Sequence, residues 1–167
     1  IKNVKHISNM ILPNSLFPSF SVKQILDPSD MNTANVIVKL FRKEFGSEKF
    51  NEMDFLCYTD PDADRLGIII PTTEHEQSIY GSWKLLKAND VWTLFLWYML
   101  EIISKKNNSI FSKMDKSFIV TSFVTSDSLL YICKKYGIEC IESKVGFSDI
   151  TSIVLEKWKN NQTNIGM

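Results

Sequence analysis

Hydrophobic positions in the first half of the chain follow a helical spacing and then two strand-like runs. Residues 30–45 carry apolar side chains at spacings of four, three and four residues, namely Ala34, Val38, Phe41 and Phe45. Positions at this spacing lie on one face of a helix, and Gly46 follows where a helix commonly ends. Short apolar runs at 54–58 and 66–70 predict buried strands, and residues 3–12 predict a weaker one.

The second half of the chain alternates in the same way after a polar stretch at residues 71–83. The pattern predicts a helix at 91–104, a strand at 117–124, a helix between Ser126 and Gly137, a strand at 138–141 and a helix at 147–158. This alternation favours an α/β fold, and we predict two three-layer α/β/α domains with mixed, mainly parallel sheets. We place the domain boundary in the polar stretch, which makes the domains 1–76 and 77–167.

Composition limits the classes of partner. The chain has 167 residues, of which 44% are hydrophobic and 23% are charged, and its net charge is zero. Such a chain offers no general electrostatic attraction for nucleic acid or an acidic membrane. The longest apolar stretch, residues 91–103, is shorter than the roughly 20 residues that span a bilayer. We therefore expect neither nucleic acid nor membrane as partner, and expect this stretch, with Trp92 and Trp97, to be a helix buried within the fold.

The cysteines and the first residue bear on where the protein resides and whether it is complete. Cys57, Cys133 and Cys140 lie in apolar contexts and form no CxxC pair. Their odd number and spacing favour reduced, buried thiols in a cytoplasmic protein over disulfides or a zinc site. Because the chain begins with Ile1 rather than Met, we expect it to be a fragment of a longer protein.

The strongest chemical signal lies between the two strands predicted in the first half. Asp60, Asp62 and Asp64 occupy alternate positions, and like charges so close together repel one another unless a cation lies between them. Hard carboxylate oxygens favour Mg²⁺, Mn²⁺ or Ca²⁺ over softer metals. Arg65 follows directly, and its planar donor geometry suits a phosphate. The loop therefore predicts a metal site beside a phosphate; the alternative is an acidic surface turn without a metal.

Two other acidic motifs fit less well. An EF-hand loop needs Gly at its sixth position and Glu at its twelfth, but counting from Asp60 these positions hold Arg65 and Pro71. Phosphatases with an aspartate nucleophile also place Asp-x-Asp after a strand. The third aspartate and the arginine do not fit that pattern.

Residues 59–68, Thr-Asp-Pro-Asp-Ala-Asp-Arg-Leu-Gly-Ile, resemble the metal-binding loop of the α-D-phosphohexomutases, the phosphoglucomutase and phosphomannomutase superfamily. The residues Asp-Pro-Asp-Ala-Asp-Arg-Leu are most similar to the corresponding loop in the phosphoglucomutase and phosphopentomutase branch. Further segments resemble family elements in the same order, namely 17–20, 27–30, 87–90, 121–130 and 145–147. The resemblance covers residues 17–155 and implies parts of the second and third domains of such an enzyme.

The resemblance implies a role for each residue of the acidic loop. Asp60, Asp62 and Asp64 would bind Mg²⁺, or Mn²⁺ in its place. Arg65 would contact the phosphoryl group, and a salt bridge to a neighbouring aspartate is the alternative. Family enzymes exchange phosphate between a phosphoserine and a sugar phosphate, with a sugar bisphosphate as activator. That serine would lie outside this chain.

The chain departs from the family pattern in two respects. We find no counterpart of the serine loop, the sugar-selecting loop or the fourth-domain phosphate loop, so we expect this chain alone to be inactive. Residues 145–147 resemble the Gly-Phe-Lys segment that contacts substrate in the family, and the resemblance implies Lys144, Gly146 and Ser148 as substrate-binding residues. Ser148 stands in place of the family lysine. Serine cannot supply that cation. Either Lys144 substitutes for it, or the parent protein has weakened or lost activity.

The resemblance thus implies the central part of a Mg²⁺-dependent phosphosugar mutase. Such an isomerase interconverts glucose 1-phosphate and glucose 6-phosphate, or related hexose or pentose phosphates, and its partners would be the phosphosugar and the remaining mutase domains. One alternative is a non-catalytic or truncated relative that binds a sugar phosphate or a protein. A second alternative is an unrelated metal-dependent phosphatase.

Overall fold

The computed structural model describes residues 3–21, 26–106, 116–160 and 162–164. The chain divides into two compact units, Ile1–Ala88 and Asn89–Met167. Each unit has its own hydrophobic core.

The first unit packs one long helix against a three-stranded sheet. Its helices are α1 (Met31–Phe45), α2 (Ser47–Asn51) and α3 (Gln77–Tyr80), and its strands are β1 (Leu56–Thr59), β2 (Leu66–Pro71) and β3 (Trp83–Leu85). The strand order is β1-β2-β3, and both neighbouring pairs are antiparallel. The predicted helical face is confirmed, because Ala34, Val38 and Phe41 of α1 pack with Leu56 of β1 and Ile69 of β2 in one buried cluster.

Three expectations for this part of the chain differ from the structure. The sheet is antiparallel because Thr59 and Leu66 pair directly across a short turn, which leaves no length for the crossover that parallel strands need. The polar stretch 71–83 belongs to the first unit, since β3 pairs with β2; the division between units therefore falls after residue 88 rather than after 76. Residues 3–12 form a single 3₁₀ turn, Ser8–Met10, and no strand.

Capping residues fix both ends of α1. The Asp30 side chain accepts a hydrogen bond from the Thr33 backbone N–H at 3.3 Å, which satisfies one of the free donors at the start of the helix. At the other end, Gly46 has a φ of 87° and donates its N–H to the Arg42 carbonyl at 2.9 Å. Local hydrogen bonds therefore define both the start and the end of α1.

The second unit has three layers. Its helices are α4 (Ala88–Lys106), α5 (Ser128–Tyr136) and α6 (Phe147–Lys159), and its strands are β4 (Ser117–Ser122), β5 (Glu139–Ser143) and β6 (Thr163–Asn164). The order is β5-β4-β6, and both pairings are parallel. Side chains of β4 alternate between the two faces: Ile119 packs with α4 and α5, whereas Phe118 and Val120 pack with α6. The predicted α/β class is confirmed, and here the sheet is parallel as expected.

Helix α4 is less buried than the sequence suggests. Leu96 and Leu100 are fully buried against Ile119. Large side chains elsewhere on the helix are 40% to 58% exposed, namely Trp92, Leu94, Phe95, Trp97 and Tyr98. The prediction that Trp92 and Trp97 lie in the core is therefore wrong, because only one side of this apolar helix faces the sheet. Among the described residues, no helix has the length and apolar character needed to cross a membrane.

The three cysteines are free thiols with different surroundings. Cys133 is buried and Cys140 is partly buried in the same core cluster. Cys57 is exposed on β1, so the expectation of a buried thiol is wrong at that position. It lies on the face of the strand opposite to that of Leu56, which packs on α1.

Candidate metal centre

The acidic loop is the turn of the β1–β2 hairpin. Asp60 directly follows β1, and its carbonyl accepts a hydrogen bond from the Ala63 N–H at 3.1 Å. Ala63 has a φ of 59°, a left-handed conformation that residues other than glycine adopt uncommonly. The chain therefore turns sharply between the aspartates.

The turn brings the three carboxylates together. One oxygen each from Asp60, Asp62 and Asp64 lies within 4.8 Å of the other two; Asp60 is buried, and the other two residues are exposed. Oxygen ligands lie about 2 Å from a Mg²⁺ ion, so ligands of one ion are at most about 4 Å apart. A small movement of the exposed Asp62 and Asp64 side chains would bring all three oxygens within that range. The donor set, made only of carboxylates, also fits a hard cation.

Arg65 is surrounded by carboxylates. Its Nε lies 2.7 Å from Asp60 Oδ2 and 3.7 Å from Asp64 Oδ1, and its Nη1 lies 3.4 Å from Asp27 Oδ2. Its backbone N–H also donates to Asp60 Oδ1 at 3.1 Å. The salt bridge considered from the sequence is therefore present. The Arg65 side chain is 53% exposed, and its contact with a phosphoryl group stays a prediction.

The carboxylates of the loop perturb one another. Burial works to raise the pKa of Asp60. Hydrogen bonds from the backbone and side chain of Arg65, a hydrogen bond with Asp64 and the charge of Arg65 act against burial, and the net result is a pKa below its ordinary value. The pKa of Asp64 is raised, first by its hydrogen bond with Asp60 and then by burial and the charge of Asp62. These opposite shifts are typical of carboxyl groups crowded into one site. A divalent cation among them would favour the charged form of all three.

Asp27 reaches the loop from the segment before α1. Its Oδ1 accepts hydrogen bonds from the N–H of Ser29 at 2.9 Å and from the Ser29 hydroxyl at 2.8 Å. These two bonds are the main cause of its lowered pKa, to which the charge of Arg65 adds. Sequence reasoning did not single out Asp27 as a residue of this site.

Tyr58 and Gly67 of the hairpin contact the segment before α1 at Pro28. The Tyr58 hydroxyl donates to the Pro28 carbonyl at 2.9 Å, and burial raises the pKa of Tyr58 to about 12. Gly67 lies opposite Tyr58 across the hairpin. A Cβ at position 67 would lie 2.5 Å from the Tyr58 ring and 2.7 Å from the Pro28 carbonyl oxygen. Only glycine allows this close approach.

A cavity of about 560 Å³ opens beside the loop. Tyr58, Thr59 and Asp60 contribute to its wall from the hairpin, and residues 9–20 contribute most of the remainder. Its volume lies within the roughly 300–1,000 Å³ that small-molecule sites occupy. A ligand of that size would therefore have room next to Asp60.

The predicted substrate-contact residues lie in the second unit. Lys144 follows β5, Gly146 (φ 134°) directly precedes α6, and Ser148 lies in the first turn of α6; all three are exposed. They follow the carboxyl end of a parallel strand, which is where ligands bind in open α/β sheets. Their contact with a substrate stays a prediction, as does the role of Lys144 in place of the family lysine.

Comparison with known proteins identifies the relationship. The family described as "Phosphoglucomutase/phosphomannomutase, alpha/beta/alpha domain III" matches residues 88–167. These residues build the three-layer unit described above. The chain belongs to the phosphohexomutase superfamily. The resemblance seen in the sequence is therefore confirmed at the level of the superfamily and of its α/β/α fold.

Similarity to curated relatives extends into the first unit. The chain is 24% identical over 147 residues to a protein named probable phosphomannomutase from Haemophilus influenzae, covering 88% of this chain and 25% of that protein. It is 32% identical over 116 residues to the glucose 1,6-bisphosphate synthases of Homo sapiens and Pongo abelii, covering 70% of this chain and 17% of each. This chain thus spans a quarter or less of the length of these relatives.

Proposed function

We propose that this chain is the central part of a Mg²⁺-dependent phosphosugar mutase. The enzyme would move a phosphoryl group within glucose 1-phosphate and glucose 6-phosphate, or within related hexose or pentose phosphates. The observation that carries the proposal is the carboxylate cluster of Asp60, Asp62 and Asp64 in a phosphohexomutase chain. The names of the curated relatives, a probable phosphomannomutase and glucose 1,6-bisphosphate synthases, support phosphorylated hexoses as the substrate class.

In this proposal Asp60, Asp62 and Asp64 hold the Mg²⁺ ion, and Mn²⁺ can replace it. When bound, the ion supplies positive charge that stabilises a phosphoryl group during transfer. Asp60 is the fixed member of the set, because burial and two hydrogen bonds from Arg65 hold its carboxylate in place. Asp62 and Asp64 are exposed and can adjust to the ion.

Arg65 and the second unit supply the contacts to phosphate and sugar. The guanidinium of Arg65 has five N–H donors, and its exposure leaves some of them able to reach a phosphoryl oxygen. Lys144, Gly146 and Ser148 contact the substrate, with Lys144 supplying the cation that Ser148 lacks. The transferred group comes from a phosphoserine outside this chain, a sugar bisphosphate activates the enzyme, and the free thiols favour a cytoplasmic location.

The metal site is tested by calorimetric titration of the purified chain with Mn²⁺. We expect binding in the native chain, and at least about tenfold weaker binding in Asp62→Asn because one charged ligand becomes neutral. Asp54→Asn is a matched control, since Asp54 is an exposed aspartate outside the acidic loop. An affinity that Asp62→Asn leaves unchanged would contradict the assignment, as would a native chain that binds no Mn²⁺.

The activity is tested on the intact parent protein. With a catalytic amount of glucose 1,6-bisphosphate and Mg²⁺, we expect interconversion of glucose 1-phosphate and glucose 6-phosphate, followed by ³¹P magnetic resonance. Ribose phosphates and mannose phosphates are tested in parallel. No turnover of any hexose or pentose phosphate would contradict the mutase proposal.

A second candidate function is a non-catalytic relative that keeps the metal site and binds a sugar phosphate or a protein. The observation in its favour is Ser148, which stands where the family pattern has a lysine. Under this alternative the parent would bind Mn²⁺ but would not turn over substrate, and Ser148→Lys would raise its activity. Full activity of the native parent, lost in Lys144→Ala, would contradict it.

A further inference from the structure

We propose that Asp27 is a positioning residue that limits the movement of Arg65 between the carboxylates of the acidic loop and thereby keeps these carboxylates available to the cation. The inference rests on the proposed metal site. Asp27 itself binds neither metal nor substrate in this view. It acts through Arg65.

Arg65 and a metal ion compete for the same oxygens. The Nε of Arg65 contacts Asp60 at 2.7 Å and lies 3.7 Å from Asp64, and both are proposed ligands. A guanidinium that moved further between these carboxylates would neutralise them and weaken their attraction for a divalent ion. A second anion beside the arginine would limit how far the guanidinium moves between the ligands, while its contact with Asp60 is kept.

Asp27 can be that anion because its position is set independently of the loop. Two hydrogen bonds from Ser29 orient its carboxylate. The next residue, Pro28, is fixed by the hydrogen bond from Tyr58, and Asp30 caps α1 directly afterwards. The carboxylate lies 3.4 Å from Arg65 Nη1, whereas Asp60 contacts Nε of the same guanidinium group.

The contrast between Asp27 and Asp30 gives a matched pair of variants. Both are aspartates of the same segment, and asparagine retains the hydrogen bonds of each: the amide oxygen introduced by Asp27→Asn can accept from Ser29, and asparagine is a good helix cap. Both substitutions remove one negative charge. They differ in that Asp27 contacts Arg65, whereas the Asp30 carboxylate accepts from Thr33 and Asn32.

The experiment is Mn²⁺ titration of the whole chain by calorimetry, at about 0.15 M salt, where charges more than about 8 Å apart are largely screened. We expect Asp27→Asn to weaken Mn²⁺ binding about threefold more than Asp30→Asn does, in keeping with the modest strength of partly exposed ion pairs. In an Arg65→Gln background, the difference between the two substitutions should largely vanish, because Asp27 then has no arginine to hold. Circular dichroism of each variant checks that the fold is retained.

Each outcome bears on one proposal. A native chain that binds no Mn²⁺ overturns the metal site. Binding in the native chain with equal effects of Asp27→Asn and Asp30→Asn overturns the role of Asp27 and leaves the metal site standing. A difference that persists in full in the Arg65→Gln background also overturns it, since Asp27 would then act without the arginine. If Asp27→Asn does not fold, Asp27→Ser repeats the comparison, because its hydroxyl can also accept from the Ser29 N–H.

Discussion

The two units of this chain differ in how they place their functional groups. In the second unit, parallel strands joined by helices put exposed segments such as 144–148 at the carboxyl end of a sheet. In the first unit, one antiparallel hairpin carries the whole carboxylate cluster in its turn. Within the described ranges, Asp60, Asp62 and Asp64 form the one cluster of at least three metal-ligating groups.

The match to the family model and the proposed metal site lie in different units of the chain. Residues 88–167 match the family through the unit that contains α4, β4, α5, β5 and α6. The proposed metal site lies in the other unit and depends on the local geometry of a turn. A change in the second unit should therefore affect its stability and spare metal binding, and a change in the first unit should do the reverse.

The largest effect is expected from a cavity in the core of the second unit. Leu100 is fully buried among Leu96 and Ile119, and Leu100→Ala should lower the free energy of unfolding by about 2–5 kcal/mol. Leu94→Ala makes the same change on the same helix at a side chain that is 58% exposed, and should cost much less. Urea unfolding followed by tryptophan fluorescence measures both. If Leu100→Ala also abolished Mn²⁺ binding under conditions where the first unit stays folded, the two units would not be independent.

A smaller effect is expected from a methyl group at Gly67. A Cβ there would clash with Tyr58 and the Pro28 carbonyl, so Gly67→Ala should destabilise the first unit by about 1–3 kcal/mol and weaken Mn²⁺ binding, while the second unit is unaffected. Gly81→Ala is the comparison, because position 81 has open space but a φ of 75°; its cost should be backbone strain alone. Unfolding curves and Mn²⁺ titration test both. If Gly67→Ala unfolded at the same urea concentration as the native chain, Tyr58 and Pro28 would be able to move apart and make room for the methyl group.

The smallest effect is a loss of folding stability at acid pH, which originates at Glu76 in the first unit. Hydrogen bonds from Lys84, and then from the N–H and hydroxyl of Thr73, lower the pKa of Glu76 to about 2. Because the folded-state pKa is lower than the unfolded value, this stabilisation is present above about pH 4.5 and is lost as the pH falls towards 2. Glu76→Gln should flatten the loss of stability in this window, and Glu74→Gln, at an exposed neighbour, should not. Urea midpoints at several pH values measure this; identical profiles for native protein and Glu76→Gln would refute it.

Local signals made most of the secondary structure predictable. The apolar spacing of α1, with Asp30 before it and Gly46 after it, determines a helix from short-range interactions. Gly137 likewise ends α5 in a left-handed conformation, with a φ of 69°. The carboxylate cluster was predictable for the same reason, because its three members lie at alternate positions of one turn.

Most of the errors concern how the elements pair and pack, not where they lie in the chain. The apolar runs of β1 and β2 predict strands but not their direction. The short connection between Thr59 and Leu66 is what requires antiparallel pairing, and the prediction of a mainly parallel sheet did not take it into account. An apolar helix such as α4 suggests burial all round, but burial depends on what packs against it. The contact between Asp27 and Arg65 joins two segments through the fold of α1 onto the hairpin. The local pattern Asp27-Pro28-Ser29 predicts a turn and says nothing of the arginine that it meets.

The exposed aromatic side of α4 has a consequence for how the chain behaves at high concentration. The exposed side chains on this side of α4 are large and apolar. Association of two copies through this surface removes it from water and lowers the free energy. The isoelectric point near 6.9 leaves almost no net repulsion between copies at neutral pH. We therefore expect the colloidal stability of the isolated chain to be lowest near neutral pH and to improve as the pH moves away from it in either direction.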